Sequence, residues 1–267
     1  MARYAKGIGI LVGMIFGAGI FALPYAFASA GLFWGLMDFA LAFIIILITH
    51  YFYAEVSYFV KGRHRFTSHA EILIGKKAKA ISLVTTIFTY YGSLLAYGLL
   101  GGIFLSNFFG GRGKGVATIT FLLAAGLLSL FRLNKIAKVN FYIVLLMLGF
   151  LVYLFSLALP HVNVATFSQN FTIFSPSWFL PFGIGVFALG GYSAIPEVRD
   201  IFLGSSFRKM KRVILISSVI IAVSYLLFVF SVWGVSGKQT SKDALSGLRA
   251  FLGAKAVIMG SLVGLLA

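Results

Sequence analysis

The sequence predicts an all-α polytopic membrane protein, and three observations lead to this fold class. The 267 residues are 60% hydrophobic and 10% charged, with a mean hydropathy of +1.02, whereas a soluble domain carries about 25% charged residues. Uncharged stretches cover residues 7–37, 80–111, 139–160 and 213–237, and a bilayer core of about 30 Å needs roughly 20 apolar residues as helix. The period-two alternation of transmembrane strands is absent from the sequence.

The alternation of apolar and polar segments predicts about eight transmembrane helices, because backbone amides inside a bilayer must be bonded internally. The predicted spans are 7–30, 34–58, 80–108, 116–131, 139–159, 178–198, 212–235 and 252–267. Residues 65–82 are predicted to include a short amphipathic helix at the membrane surface, with Lys76, Lys77 and Lys79 toward lipid headgroups. Residues 161–177 are polar and are predicted to form an outer loop.

The distribution of positive charge predicts the orientation of the chain. The formal net charge is +16, and most basic residues fall on one side if the N-terminus is cytoplasmic, as the positive-inside rule requires. These residues are Arg3, Lys6, Lys61, Arg63, Arg65, Lys76, Lys77, Lys79, Arg132, Lys135, Lys138, Arg199, Arg208, Lys209, Lys211 and Arg212. We therefore expect a multi-pass protein of the cytoplasmic (inner) membrane. Its basic loops are expected to contact anionic lipid headgroups, and no nucleic-acid partner is needed to explain the charge.

The N-terminus also has features of a cleavable signal peptide, because Arg3 and Lys6 precede an apolar core and the small residues around Ala28. Retention is the favoured interpretation, since the apolar run passes into the second span without a polar mature start. The chain has no cysteine, which excludes disulfides and thiolate metal ligands. No metal-binding, nucleotide-binding or nucleophile–base motif is found, so neither a metal site nor an enzyme is predicted.

An octapeptide that occurs twice predicts two discontinuous helices. Residues 16–23 read FGAGIFAL and residues 182–189 read FGIGVFAL, with six of the eight positions identical. A proline follows each copy, at Pro24 and Pro196. Chance composition is the alternative, but the matching order of residues favours an internal repeat. Helix-weakening residues in corresponding segments of two halves indicate a transporter binding site.

In the first span, Gly13, Gly17 and Gly19 precede Pro24. Glycine adopts unusual backbone angles readily, and proline removes a backbone donor and disfavours helix before it. These residues predict an unwound stretch at about residues 17–20, whose freed amides and carbonyls can hold a carboxylate and an ammonium or cation. Close helix packing by small residues is the alternative, which the spacing of Gly13 and Gly17 also fits.

In the sixth span, the pair Gly190-Gly191 precedes Tyr192 and Ser193. Two adjacent glycines are unfavourable in a purely structural helix, so the backbone is predicted to open here and line a cavity, with the two hydroxyls beside it. Glu197 follows toward the cytoplasmic end and is predicted to balance the positive charge of the loops. A proton-handling role for Glu197 is the alternative.

Three segments carry a resemblance to a known family. GMIFGAGIFALPYAFASAG, HYFYAEVSYFVKGRHRFTSHAEILIGKKAK and LPFGIGVFALGGYSAIPEV resemble the bacterial aromatic amino acid permeases of the tyrosine/tryptophan type, within the amino acid/polyamine/organocation transporters. The resemblance implies the five-plus-five inverted-repeat fold named after the bacterial leucine transporter. Residues 1–160 would then form the first repeat, with helices 1–5, and residues 161–267 an incomplete second repeat, with helices 6–8.

The resemblance also implies a function and a site. The function is secondary active transport of amino acids, with an aromatic substrate preferred, by alternating access and without a cofactor. Residues implied to hold the substrate are Gly17, Ala18, Gly19 and Ile20 on one side, Leu189, Gly190, Gly191, Tyr192 and Ser193 on the other, and Tyr90, Tyr91 or Tyr97 of the third helix. The alternative is a non-transporting membrane sensor or assembly subunit that keeps the binding fold.

Ion coupling is predicted to use protons. Sodium-driven relatives place an asparagine after the first-helix glycines, where this chain has Ile20. A second sodium site, from carbonyls of Gly13 and Phe16 with the hydroxyl of Ser261, is the alternative. Ionisable groups inside a membrane are functional candidates, and His50 is predicted as the proton carrier, with Glu197 as a less favoured one.

The family has ten or more helices, whereas this sequence reaches Ala267 within its eighth predicted span. The chain is therefore interpreted as a truncated member of the family. A shortened protein that forms dimers is the alternative, and the sequence leaves the oligomeric state open.

Overall fold

The computed structural model describes residues 2–130, 133–169 and 175–266, and the regular elements within these ranges are helices. The α-helices are α1 (Ala2–Ile15), α2 (Leu23–Ala30), α3 (Leu32–Phe59), α4 (Phe66–Ile74), α5 (Lys76–Asn107), α6 (Lys114–Leu128), α7 (Leu133–Ala158), α8 (Ala165–Gln169), α9 (Leu180–Leu189), α10 (Ile195–Phe202), α11 (Phe207–Ser236) and α12 (Arg249–Leu266). Arg132 of the predicted basic loop, the end of the fourth predicted span at residue 131, residues 170–174 of the predicted outer loop and Ala267 lie outside the described residues.

The long apolar helices occur where the sequence predicts them. By length and composition, five described helices are apolar enough to cross a membrane, and joining α1 to α2, which meet at a 51° bend, gives six. The predicted spans 116–131 and 178–198 account for the difference from eight. The first contains only the 15-residue α6, and the second is divided into α9 and α10. The all-helical class is thus confirmed, whereas the count of eight spans stays a prediction.

The segment between α3 and α5 does contain a helix, but a shorter one than residues 65–82. α4 ends at Gly75, whose φ of 113° favours glycine and turns the chain. Lys76, Lys77 and Lys79 therefore belong to the first turn of α5, and the prediction that they lie on the surface helix is wrong. Lys79 still interacts with that helix, because its Nζ lies 2.6 Å from Oε2 of Glu71.

The core is built around α11, which packs against α1, α2, α3 and α7. Half of its most apolar stretch is buried inside the protein, whereas only 6% of the corresponding stretch of α5 is buried. Trp233, Tyr225 and Phe228 of α11 are among the largest fully buried side chains. α5 lies at the side of the bundle, where it packs against α4, α6 and α12.

Helices from the two predicted repeats are interleaved. α1 packs against α10 and α11, while α9 packs against α2, α3 and the 3₁₀ turn Ala18–Ala22. Residues 1–160 and 161–267 therefore share one core. This arrangement brings the two predicted breaks, near Gly17 and Gly190, into the same part of the molecule.

Candidate functional site

The first span is broken where the glycines and the proline predict. α1 ends at Ile15, and Gly17 is extended, with φ −147° and ψ −162°. A 3₁₀ turn, Ala18–Ala22, leads into α2, which begins at Leu23 with Pro24 in its first turn. Proline fits there because the first helical turn needs no donor from its nitrogen. The discontinuity of the first predicted helix is confirmed.

The sixth span is also broken. α9 ends at Leu189, a 3₁₀ turn covers Tyr192–Ala194, and α10 begins with Ile195-Pro196. The intervening Gly190 has φ −65° and Gly191 has φ −161°, and neither angle lies in the left-handed region that favours glycine. The break is confirmed, but its glycines are required by space and not by backbone angles.

The two breaks pack reciprocally against each other. A Cβ atom added to Gly19 would lie 2.8 Å from the Cα of Ala188, and one added to Gly191 would lie 2.1 Å from Cγ1 of Ile15. Each glycine thus contacts the last turn of the helix that precedes the other break. Gly19 and Gly191 are therefore closely packed, and their Cβ positions are not open to a ligand. The close-packing alternative predicted from the spacing of Gly13 and Gly17 stays a prediction. A Cβ on Gly17, in contrast, would meet nothing closer than 3.9 Å.

Tyr225 joins the two breaks. Its hydroxyl lies 3.0 Å from the carbonyl oxygen of Ile15, at the end of α1, and 3.2 Å from that of Ala188, near the end of α9, and it is placed to donate to both. The backbone of Gly17 lies near the same hydroxyl. Tyr225 is fully buried. The sequence reasoning missed this residue, although it is the one tyrosine in the uncharged stretch 213–237.

A cavity of about 310 Å³, here called the His50 cavity, lies between the second break, α3 and α5. Its lining residues are Ile46, Thr49, His50, Tyr53, Phe66, Thr85, Thr86, Thr89, Gly190, Gly191 and Tyr192. The threonine hydroxyls donate to carbonyls of their own helices, as Thr49 does to Ile46 at 2.8 Å. Their remaining lone pairs make them acceptors toward a ligand.

His50 is the buried ionisable group of this cavity. The side chain is 2% exposed, and its Nδ1 has no hydrogen-bond partner among the described residues. A buried polar atom without a partner is unfavourable unless a ligand, water or proton uses it. Across the cavity, the ring of Tyr192 packs near the rings of Tyr53 and Phe66, at centroid distances of 6.4 and 5.6 Å.

A second cavity of about 180 Å³, here called the Tyr97 cavity, adjoins the first break. Its lining residues are Ala18, Leu94, Tyr97, Gly98, Leu100, Gly101, Phe104, Phe121, Leu122, Ala125, Gly264 and Leu265. The Tyr97 hydroxyl lies 3.9 Å from where a Cβ of Gly17 would be. This cavity has apolar and aromatic walls with one hydroxyl near the break, a common composition for small-molecule sites.

The three predicted tyrosines of α5 have different positions. Tyr97 faces the first break, and Tyr90 lies close to Tyr192 but is half exposed. Tyr91 is 71% exposed and lines neither cavity, so its assignment to the site stays a prediction. Consecutive helical residues are about 100° apart, which turns Tyr91 away from the face that Tyr90 and Tyr97 share.

Other predicted residues are packed in the core. The side chains of Ile20 and Leu189 are 1% and 3% exposed, so only their backbone can reach a ligand. Phe16 packs its ring on Tyr225, with centroids 5.4 Å apart, and Gly13 lies inside α1. Ser193 is partly exposed within the 3₁₀ turn of the second break.

Ser261, which supplies the hydroxyl of the alternative sodium site, is bonded to α5, and that site stays a prediction. Ser261 is fully buried, and its hydroxyl accepts a 2.9 Å hydrogen bond from Nδ2 of Asn107, the last residue of α5. α12 packs against α5 and α7. The Ser261 hydroxyl is therefore engaged with α5.

Beyond the second break, α10 is fastened to the loop after α3. Arg65 lies 3.8 Å from Glu197, and Arg63 lies 3.4 Å from Asp200. The buried Arg199 pairs with Asp200 at 3.2 Å and donates to the carbonyl of residue 60, also at 3.2 Å. Glu197 thus lies among basic residues, as its favoured interpretation requires.

His69 of α4 lies beside this loop. Its Nδ1 is 3.4 Å from the hydroxyl of Tyr53. Burial lowers the pKa of His69 below its ordinary value, and the positive charges of His64 and Arg199 lower it further. The neutral imidazole is therefore the form that the folded protein favours.

Comparison with known proteins identifies the family. The model of the tryptophan/tyrosine permease family matches residues 2–264. The chain belongs to the tryptophan/tyrosine permease family. Two curated relatives, the low affinity tryptophan permeases of Escherichia coli K12 and of Escherichia coli O157:H7, are each 23% identical over 266 residues. Each alignment covers 93% of this chain and 64% of the relative, so this permease chain spans under two thirds of the length of those relatives. Family membership confirms the resemblance, and permeases are transport proteins and not enzymes.

Proposed function

We propose that this chain forms the substrate-binding core of a secondary active transporter for aromatic amino acids. The observation that carries the proposal is the meeting of two broken helices, tied together by Tyr225, with a cavity on either side. Broken helices that expose backbone groups inside a membrane bundle are used by transporters to hold substrates and ions. The permease family of the chain and the tryptophan permeases that it resembles support an aromatic substrate.

We propose the inverted-repeat fold with about eight spans, an N-terminus in the cytoplasm and location in the inner membrane. The reciprocal packing of Gly19 on Ala188 and of Gly191 on Ile15 supports a twofold relation between the repeats. The basic loops support the orientation by the positive-inside rule. In this orientation the Arg63–Asp200 pair lies at the cytoplasmic end, where α10 leaves the membrane.

The Tyr97 cavity is the proposed substrate site. Its walls, which include Phe104, Phe121 and Leu122, suit an aromatic ring, and the backbone at Gly17 and Ala18 lies next to it. In this arrangement the charged groups of the amino acid face the break. Some backbone N–H and C=O groups there have no hydrogen-bond partner within a helix. Alternating access then consists of movement of the broken helices around this site.

The His50 cavity is the proposed site of proton coupling. His50 is buried, its Nδ1 is unpartnered among the described residues, and it faces Gly190 and Tyr192 of the second break. A proton taken up there adds a charge beside the break and favours a different backbone arrangement. The alternative that uses sodium is less favoured, because Ser261 is bonded to Asn107.

Binding to the purified chain tests the substrate site. Thermal unfolding in detergent is measured with tryptophan, tyrosine and phenylalanine and with leucine and arginine, and selective stabilisation by the aromatic amino acids is expected. Gly17→Leu should abolish this stabilisation, because its side chain fills the space toward Tyr97. Gly9→Leu is the matched control, since Gly9 lies in α1 with nothing within 4 Å of an added Cβ. Equal stabilisation of both variants would place the site elsewhere.

Uptake into proteoliposomes tests transport and coupling. Accumulation of radiolabelled tryptophan is expected when the lumen is more alkaline than the medium, and a sodium gradient alone should not drive it. His50→Gln should abolish proton-driven accumulation while substrate binding persists. Stabilisation by aromatic amino acids without uptake, from correctly inserted protein, would favour the alternative of a sensor or assembly subunit.

A further inference from the structure

The hydroxyl of Tyr225 occupies the place where two interrupted helices would otherwise leave backbone groups unpaired. In a continuous helix the carbonyl of Ile15 would bond the amide of Gly19, and that of Ala188 would bond the amide of Tyr192. Both carbonyls instead lie within hydrogen-bonding distance of the Tyr225 hydroxyl, at 3.0 and 3.2 Å. Buried carbonyls need such a partner in a membrane bundle.

The geometry limits what this hydroxyl can do. A phenol has one proton, and it can also accept a hydrogen bond. The two carbonyls therefore share or exchange one proton. The ring is fixed by full burial and by contact with Phe16, so the proton can turn from one carbonyl to the other without movement of the side chain.

The two carbonyls also present a negative potential to one point. The C-terminal end of a helix carries a partial negative charge from its free carbonyls, and α1 and α9 both end at Tyr225. A cation would be attracted to this point, where the two oxygens share the one hydroxyl proton of Tyr225. Tyr225 belongs to α11, the helix at the centre of the core, so the link between the breaks is anchored on a long, buried helix.

We propose that Tyr225 is a positioning residue that couples the two breaks, holding the end of α1 and the end of α9 together through one shared hydroxyl proton so that they move as a unit. The proposal rests on the proposed transport function for its role, but the physical link is independent of any substrate. It also gives the permease a means to hold both helix ends without a metal cation at these carbonyls.

The link is tested by measuring a distance. The chain has no cysteine, so Gly9→Cys in α1 and Gly183→Cys in α9 introduce two spin labels without a background, and both sites have nothing within 4 Å of an added Cβ. Pulsed electron–electron double resonance on the full chain then gives the distribution of distances between the two spin labels. Tyr225→Phe, which keeps the ring and removes the hydroxyl, should widen this distribution about twofold or more, as expected when a constraint between two packed elements is lost.

Controls separate the link from general stability. Tyr153→Phe removes a hydroxyl from α7, where Tyr153 is 38% exposed, and should leave the distribution unchanged. If Tyr225→Phe does not fold, a ring-fluorinated tyrosine at position 225 keeps the shape and donates more strongly, and it should give a distribution no wider than that of the unmodified chain. An unchanged width in a folded Tyr225→Phe protein, or a wider one with the fluorinated ring, overturns the proposal.

Uptake by the same variants gives the second readout. Tyr225→Phe should bind aromatic amino acids with a Kd within about threefold of the parent but transport them about tenfold more slowly or worse, since coordinated movement and not ground-state binding is lost. A wider distance distribution in a protein that never transports would leave the link standing and reject the proposed function. Normal uptake with an unchanged distance distribution would support the proposed transport function and reject the link through Tyr225.

Discussion

The two broken helices contain nearly the same octapeptide but break at different points relative to it. In the first copy, residues 16–23, the break and its 3₁₀ turn lie inside the octapeptide. In the second, residues 182–189, the octapeptide is helical throughout, and the chain opens only at Gly190. The repeated sequence therefore marks both regions, but its matching residues are not structurally equivalent.

The prolines explain this difference. The helix after each break begins one residue before a proline, at Leu23-Pro24 and at Ile195-Pro196. Pro24 directly follows its octapeptide, whereas Pro196 comes seven positions after Leu189. Proline is favoured in the first helical turn and prevents helix continuation into it. The proline, more than the octapeptide, determines where each second helix starts.

The surroundings of the two breaks differ as well. Ala18 to Phe21 of the first break are all buried, so core packing holds it. Gly190 of the second break is exposed, and α10 beyond it is fastened by ion pairs such as Arg63–Asp200. Packing is insensitive to salt and pH, whereas exposed ion pairs are sensitive to both. We therefore expect the second break to respond more to its environment.

The largest effect is expected at the crossing of the breaks. Gly19→Ala should destabilise the protein by about 1–3 kcal/mol, because the new Cβ meets the backbone of Ala188, which cannot rotate away. Gly191→Ala meets the side chain of Ile15, so the double variant Gly191→Ala/Ile15→Ala should recover part of the lost stability. Thermal unfolding in detergent measures both. Rescue of Gly19→Ala by Ala188→Gly to the parent value would show that its backbone contact is unimportant.

The next effect concerns the anchor of α9. Asp38 of α3 is 3% exposed, and its carboxylate lies beside the backbone of Phe182 in the first turn of α9. A carboxylate at a helix N-terminus stabilises it, so Asp38→Ala should destabilise the protein by about 1–2 kcal/mol. Asp38→Asn retains an acceptor and should have a smaller effect. Equal losses for the two variants would indicate that charge, and not hydrogen bonding, is what matters.

A smaller effect is expected for Glu197, whose side chain is 44% exposed where it pairs with Arg65. Exposed ion pairs contribute about 1 kcal/mol or less, so Glu197→Gln should change the unfolding midpoint little. It should also leave the pH dependence of uptake unchanged, whereas His50→Gln removes it. A loss of proton-driven uptake in Glu197→Gln would indicate that Glu197, and not His50, is the coupling group.

The smallest effect is the pH dependence that His69 contributes. Its pKa in the folded protein lies below the ordinary 6.5, so the unfolded chain takes up a proton first as the pH falls. The free energy of unfolding should therefore decline slightly as the pH falls below about 6.5. This decline should end once the pH is below the pKa of His69 in the folded protein. The groups around His69 are Tyr53 on α3, His64 and Arg65 in the loop, and Arg199 on α10. His69→Gln should flatten the profile of unfolding midpoint against pH, and a steeper profile would contradict this account.

The sequence by itself determined the helical class and the places of the two breaks. Long uncharged stretches must be helical in a bilayer, and they mark α1 with α2, α5, α7 and α11. Pro24 and Pro196 act on the backbone within about one turn, so the start of the helix after each break can be read locally. The depth of His50 within the second span was also visible, because it is isolated among apolar residues.

Tertiary structure alone decided which residues face the site. Tyr91 and Tyr97 lie on the same apolar helix and are 71% and 42% exposed, yet it is Tyr97 that faces Gly17. In a membrane protein the apolar pattern does not separate a lipid-facing surface from a packed one, since both are hydrophobic. For the same reason Gly19 and Gly17 cannot be distinguished by sequence, and no local pattern marks Tyr225 as a link between the two breaks. Its role arises from bringing together helix ends that are 173 positions apart in the chain, at Ile15 and Ala188.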